Sequence, residues 1–273
     1  MHFELVNGIR TRYIVAGTGS QDVLFLHGWG ASSRLWLRSM WQLRHDYRMW
    51  AIDLPGFGHS SAPPIDWYSI DTLTEHVAAF CQTVNLKPAT VIGHSLGARI
   101  TLDMARRHPE LTPRLVTIAP SVTGRLGFNL DILMAGELGL ALAKLSRWVW
   151  PIAALGAMSS YTTPKFIGDE AIKRTTSDWR QATWEATMGS LRAMVAQDFT
   201  PHLAEISQPV LVICGKQDYT LPVADALLAV ERLPDARLVA FENLHHWPMD
   251  ENRTATLTAI REFIQEASPE AVV

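Results

Sequence analysis

One stretch of the sequence decides the fold: Thr90-Val91-Ile92-Gly93-His94-Ser95-Leu96-Gly97. It begins with an apolar run without alternation, which is typical of a strand buried on both faces, and it leads into a helical pattern. Between the two, Ser95 has glycine two positions before it and two positions after it, and these small residues relieve the crowding of a strained turn. The helix N-terminus behind the turn stabilises negative charge that develops there. The stretch therefore predicts a strand, a sharp turn that presents Ser95 as a nucleophile, and a helix.

The same alternation of strand and helix extends over most of the chain. It predicts a mostly parallel sheet with helices on both faces. The predicted strands cover residues 2–7, 10–16, 22–26, 48–53, 89–92, 114–118, 210–214 and 237–241, and the predicted helices cover residues 33–43, 70–84, 96–108, 223–232 and 254–266. The first two strands are joined through Asn7-Gly8, so we expect them to form an antiparallel hairpin at the edge of the sheet.

The alternation stops between residues 121 and 202, where the sequence is helical, amphipathic and rich in tryptophan and methionine. It resumes with the strand at 210–214. We therefore predict an α/β core in two parts, residues 1–120 and 203–273, with a helical cap inserted at residues 121–202. Because ligands of open α/β sheets bind beyond the carboxyl ends of the strands, a cap inserted after a strand should roof that site.

Composition and charge exclude several classes of function. The chain has 273 residues, 48% of them hydrophobic, and a formal net charge of −3, which excludes a generally basic nucleic-acid binder. Cys81 and Cys214 lie far apart in apolar segments and are predicted to be buried thiols. The first residues lack the basic and apolar regions of a signal sequence, and charges interrupt the most apolar stretch, residues 126–158. We expect a cytoplasmic protein that does not bind membranes.

A serine hydroxyl needs a base, and the base needs an orienting acid. On a sheet of this kind the acid and then the base should follow later strands. Asp218 follows the strand at 210–214, whereas its rival Asp225 lies within the next helix. His245 and His246 both follow the last strand, so the residues alone leave the choice of base open.

Several segments together resemble the α/β-hydrolase family. They are His27-Gly28-Trp29-Gly30, residues 53–60, the Ser95 turn, Gly215-Lys216-Gln217-Asp218 and the final histidine loop, and they span the whole chain apart from the predicted cap. The family's last loop commonly reads Gly-His-x-Pro-x-x-Glu, which His246, Pro248 and Glu251 match, with His245 in place of the glycine. The resemblance implies His246 as the base, with His245 as the alternative.

Acyl transfer also needs N–H donors for the oxyanion. The residue after the nucleophile, Leu96, is expected to supply one backbone N–H. By resemblance the second is that of Trp29, and His27 is expected to brace the loop. The remaining histidines show no metal-ligand spacing, and no dinucleotide-binding glycine motif follows a strand, so neither a metal nor a cofactor is expected.

The resemblance implies a serine hydrolase that acts through an acyl-enzyme on small carboxylic esters or lactones with an apolar acyl group. A serine at position 95 argues against the family's epoxide and halide chemistry, which uses aspartate. The alternatives are an acyl-homoserine lactone hydrolase, a carbon–carbon bond hydrolase, a perhydrolase and a non-catalytic ligand receptor. Residues 27–30 and 53–60 also look much like those of a carrier-protein methyl ester esterase, but the cap lacks an obvious basic patch for an acidic carrier. The oligomeric state is left open.

Overall fold

The computed structural model describes residues 2–127, residue 141 and residues 164–266, with residues 164–169 as backbone. Within these residues the chain forms an eight-stranded sheet in the order β1-β2-β4-β3-β5-β6-β7-β8. The strands are β1 (His2–Val6), β2 (Ile9–Ala16), β3 (Gln21–Leu26), β4 (Tyr47–Ile52), β5 (Thr90–His94), β6 (Leu115–Ile118), β7 (Val210–Gly215) and β8 (Ala236–Phe241). The β1–β2 and β2–β4 pairs are antiparallel and every other pair is parallel. The predicted fold class is confirmed.

The structure describes eight α-helices. They are α1 (Leu37–Leu43), α2 (Ile70–Thr83), α3 (Leu96–Arg107), α4 (Pro164–Gln181), α5 (Trp184–Val195), α6 (Val223–Arg232), α7 (Pro248–Glu251) and α8 (Arg253–Gln265). The predicted helix at 33–43 is wrong in its first turn, which is the 3₁₀ turn Ser33–Trp36, and the short helix α7 was not predicted. Pro248 starts α7, where its missing N–H costs nothing.

The unbroken apolar character of the central strands follows from burial on both faces. In β3, Leu24 and Leu26 pack with α2 and α3, whereas Val23 and Phe25 pack with α1 and α8. Successive side chains of a strand point to opposite faces, so each face of the sheet receives its own apolar layer. Cys81 and Cys214 are free and buried, as predicted. None of the described helices is long and apolar enough to cross a membrane.

Between β6 and β7 the described residues form α4 and α5. The N–H of Thr183, at the start of α5, donates to the carbonyl of Gly56 over 2.9 Å, and a Cβ at Gly189 would lie 2.7 Å from the Tyr68 ring. The helix α5 therefore packs on the segment that follows β4. The rest of the predicted cap, residues 128–140 and 142–163, lies outside the described residues. The bounds 121–202 stay a prediction, and we call this segment the insertion.

Candidate active site

Ser95 lies on the turn between β5 and α3, with φ 54° and ψ −114°. This backbone region is natural for glycine and strained for other residues. The flanking glycines are required by close approach, since a Cβ at Gly93 would lie 2.3 Å from the carbonyl oxygen of Gly97 and one at Gly97 would lie 2.5 Å from that of Leu26. The N–H of Ser95 donates to the carbonyl of Ile118 in β6 over 2.9 Å. This bond to the neighbouring strand and the close packing of the two glycines hold Ser95 in its strained conformation.

Asp218 and His246 come from the loops that follow β7 and β8. Nδ1 of His246 donates to Oδ2 of Asp218 over 2.7 Å, and the two side chains are only 4% and 3% exposed. The other oxygen, Oδ1, accepts the N–H groups of Thr220 and Leu221 at 2.8 and 3.0 Å. The carboxylate is therefore held by the backbone and holds the imidazole in turn. A histidine whose Nδ1 carries this proton has Nε2 free to act as a base.

The structure brings His246, and not His245, to Asp218. The ring of His245 binds Glu251 instead, with 2.9 Å between Nδ1 and Oε2. Glu251, whose side chain is 2% exposed, also accepts the backbone N–H groups of His245 and Trp247 at 2.8 and 2.9 Å. One buried carboxylate therefore binds the chain on both sides of His246.

Asp225 binds the backbone at the start of the insertion. Its Oδ2 accepts the N–H groups of Val122 and Thr123 at 2.7 and 3.0 Å. From the opposite side, Arg99 donates to the carbonyls of Val122 and Gln197 at 2.9 and 3.2 Å. Burial lowers the pKa of this guanidinium to about 10. The structure therefore places Asp225 at the start of the insertion, whereas Asp218 is paired with a histidine.

The loop that carries Trp29 passes directly over the Ser95 turn. A Cβ at Gly28 would lie 3.0 Å from Cβ of Ser95, so only glycine permits this approach. His27 is fully buried, and its Nδ1 donates to the carbonyl of Gly28 over 2.8 Å while its Nε2 accepts the N–H of Leu54 over 3.0 Å. Burial lowers the pKa of His27, which suits this neutral donor–acceptor arrangement. His27 braces two loops.

Leu96 is the first residue of α3 and is fully buried. The first N–H groups of a helix have no carbonyl partner within it, and they attract negative charge. This N–H belongs to the residue directly after the nucleophile, and the Gly28 backbone also approaches Ser95. Within the described residues, no group of three or more histidine, cysteine or carboxylate side chains is placed to hold a metal ion.

The model of the alpha/beta hydrolase family matches residues 23–259. The chain belongs to the α/β-hydrolase family. A pimeloyl-[acyl-carrier protein] methyl ester esterase of Aeromonas hydrophila is 26% identical over 254 residues, which cover 89% of this chain and 95% of that protein. The esterase EaEST of Exiguobacterium antarcticum superposes with a TM-score of 0.83 at 22% identity, covering 97% of this chain and 98% of its own. The enol-lactonase of Burkholderia xenovorans LB400 superposes with a TM-score of 0.76 at 22% identity, covering 97% and 100%. Family membership supports hydrolase activity, and the two solved structures share the fold.

In this α/β-hydrolase the insertion contacts the Trp29 loop directly. The indole Nε1 of Trp29 donates to the carbonyl of Thr187 in α5 over 2.8 Å, and the Trp29 ring meets that of Trp179 edge to face at 4.8 Å. Gly30, with φ 69°, packs so closely that a Cβ would lie 2.3 Å from the Trp179 ring. A shift of α4 or α5 would therefore move the loop beside the nucleophile.

Buried or half-buried ion pairs also join α4 to the core of the hydrolase. Arg34 lies 3.3 Å from Asp178, and Arg174 lies 2.6 Å from Asp250 in α7. Burial raises the pKa of Asp178 to about 6. Sequence reasoning missed these residues, because partners separated by 144 and 76 positions leave no local pattern.

Proposed function

We propose that the protein is a serine hydrolase of carboxylic esters or lactones. The observation that carries the proposal is the presence of two features at the carboxyl ends of the parallel strands of one sheet. Ser95 sits there on a strained turn, and His246 is bound through Nδ1 to the buried carboxylate of Asp218. A nucleophile, a base and an acid at one edge of a sheet are the parts that acyl transfer needs.

In this mechanism Oγ of Ser95 attacks the carbonyl carbon of the ester while Nε2 of His246 takes the hydroxyl proton. The same nitrogen returns that proton to the leaving alkoxide, and the acyl group stays bonded to Oγ. Water then gives a proton to Nε2 as its oxygen attacks the acyl carbon. The bond between that carbon and Oγ breaks, and Nε2 returns the proton to Oγ, which releases the acid and restores Ser95. Asp218 stabilises the imidazolium in both steps.

The N–H groups of Leu96 and Trp29 are assigned to the oxyanion. Donors placed in advance at such a position are worth roughly 10²–10³ in rate each. Trp29 acts in this role through its backbone, so its side chain is free to bind Thr187 of α5. His27 and Gly28 keep that backbone close to Ser95.

An apolar acyl group is favoured by the apolar cluster to which Leu96, the residue after the nucleophile, belongs. Leu96 shares a buried apolar cluster with Met188, Leu191 and Met194 of α5. Methionine side chains adapt to ligands of different shape. Each buried CH₂ contributes up to about 0.8 kcal/mol, which is about fourfold in kcat/KM.

The test is a straight-chain ester series from acetyl to dodecanoyl, run beside an acyl-homoserine lactone series on wild type and Ser95→Ala. We expect kcat/KM to rise over the first added carbons and then to level or fall. A best substrate that is acetyl, or one with a second carboxylate, contradicts the apolar assignment. Binding of apolar ligands without turnover of any ester would identify a receptor instead of an enzyme, and product analysis separates carbon–carbon cleavage and perhydrolysis from ester hydrolysis.

A second candidate is favoured by the similarity to the Aeromonas esterase, which is named for a methyl ester carried on an acyl carrier protein. The charge of the insertion argues against it, since residues 121–200 hold eight Lys or Arg against seven Asp or Glu. Assaying one acyl methyl ester both free and attached to an acyl carrier protein decides between the two. A lower KM for the carrier-bound ester would favour the second candidate.

A further inference from the structure

His94 lies at the centre of the candidate site, although the proposed reaction does not use its side chain. It is the last residue of β5, directly before Ser95, and it is fully buried. Its ring centroid lies 4.8 Å from that of His246 and 4.4 Å from that of Trp247. Burial, reinforced by the nearby imidazole of His246, lowers the pKa of His94 well below its usual value, so the ring is neutral.

The ring of His94 binds the main chain of the proposed base. Nε2 lies 2.9 Å from the carbonyl oxygen of His246, and a carbonyl only accepts, so Nε2 carries the proton and donates it. On the other side of the same peptide group, the N–H of Trp247 donates to Oε1 of Glu251 over 2.9 Å. The peptide unit that leaves His246 is therefore held at both ends by buried side chains, one from β5 and one from α7.

Packing alone does not account for a histidine at this position. Nδ1 of His94 has no hydrogen-bond partner among the described residues, and a buried unpaired nitrogen costs free energy. It faces Gly28, where a Cβ would lie 2.7 Å from Nδ1. An apolar side chain of similar size would fill the same space without that cost, so what the histidine adds is its bond to His246.

We propose that His94 is a positioning residue for the hydrolysis proposed above, on which this inference rests. Its Nε2–H fixes the main chain of His246, and so keeps the imidazole between Asp218 and Ser95. Because His94 and Ser95 are consecutive, the nucleophile and the residue that holds the base belong to one rigid turn. One hydrogen bond and a few covalent bonds then link the nucleophile to the main chain of the base. A small displacement of such a group costs up to about 100-fold in rate.

The experiment compares two matched pairs of variants on the best substrate of the ester series. His94→Phe fills the space without a donor, and His94→Gln restores an N–H at the reach of Nε2. We expect His94→Phe to lower kcat by roughly 10- to 100-fold while KM changes less than about twofold, and His94→Gln to recover most of the loss. His94→Met matches glutamine in length without a donor, so His94→Gln against His94→Met gives the same comparison if the phenylalanine variant does not fold.

His76 supplies the control for the cost of replacing a buried histidine. His76 is 2% exposed, and burial lowers its pKa to about 4. Its Nε2 lies 2.9 Å from the hydroxyl of Thr11, and its Nδ1 has no hydrogen-bond partner among the described residues. It lies on α2 and makes no bond to the histidine loop. His76→Phe should lower the stability as His94→Phe does and leave kcat unchanged.

The outcomes separate the two proposals. An unchanged kcat in folded His94→Phe, or equal kcat in the glutamine and methionine variants, overturns the positioning role and leaves the proposed hydrolysis intact. A fall in kcat for His76→Phe as large as for His94→Phe also overturns it, because the effect would then be general destabilisation. Full activity in Ser95→Ala instead overturns the proposed function.

Discussion

Replacing Ser95 by glycine should make the protein more stable than replacing it by alanine, although both variants lose the nucleophile. At φ 54° and ψ −114° a residue with a Cβ bears strain, of about 1–3 kcal/mol, that glycine does not. Glycine in turn loses about 0.5–1 kcal/mol more chain entropy than alanine on folding. The difference leaves Ser95→Gly the more stable by about 1 kcal/mol, which corresponds to roughly 2–4 °C in the melting temperature of a domain of this size.

Urea unfolding of the two variants, followed by tryptophan fluorescence and by circular dichroism, measures this difference. The matched control is Ser39, a buried serine within α1, where Ser39→Gly should be less stable than Ser39→Ala by about 1 kcal/mol. The sign of the glycine–alanine difference thus reverses between the turn and the helix. A Ser95→Gly protein less stable than Ser95→Ala would refute the strained turn. Both Ser95 variants should lose activity by several orders of magnitude.

Three further predictions follow from the geometry. His246→Ala should reduce kcat about as much as Ser95→Ala does. His245→Ala should keep a substantial fraction of the wild-type kcat, because the His245 ring binds Glu251 and not Asp218. The reverse result would make His245 the base. The pKa of Asp178 is raised from 3.8 to about 6, so the folded protein binds this proton more tightly and gains stability as the pH falls through 6. Urea unfolding of wild type should show about 1.4 kcal/mol of extra stability at about pH 5 relative to pH 7.5, and Asp178→Asn should lack this gain. The same dependence of unfolding free energy on pH in both proteins would contradict the prediction. Trp29→Phe keeps an aromatic ring but loses the N–H that donates to Thr187, so we expect about 1 kcal/mol less stability and a lower kcat. An unchanged kcat would show that the contact with α5 does not hold the Trp29 loop in place.

The strands and the Ser95 turn were predictable because their causes are local. A strand buried on both faces must be apolar at successive residues, as Val23 to Leu26 are, and the predicted strands differ from the observed ones by at most two residues at either end. Gly93 indicates the turn for a local reason as well, since the atoms that would meet its Cβ belong to Gly97 and Thr101, just beyond the turn. A Cβ at Gly97 would instead meet Leu26 and His27 at the end of β3, so the need for that glycine comes from the packing of the turn on a distant strand.

Part of the candidate site was predictable because the topology of a parallel sheet constrains it. Asp218 and His246 each follow a strand, and parallel strands bring their carboxyl ends to one edge, where the two side chains lie 2.7 Å apart. The local residues did not choose between His245 and His246, and the spacing to Glu251 was the signal that did. That spacing reflects a real contact, the pairing of Glu251 with the N–H groups on both sides of His246.

Only the tertiary structure decided what joins distant segments. The first turn of the predicted helix at 33–43 is a 3₁₀ turn, where the N–H of Ser33 donates to the buried carboxylate of Asp53 over 2.7 Å. His94 had no distinguishing pattern, and its bond reaches His246, 152 positions away. Periodicity and motif spacing reflect interactions between residues that are close together in the chain. The partner of a buried donor is set by which segments the fold packs together, and no local pattern carries that information.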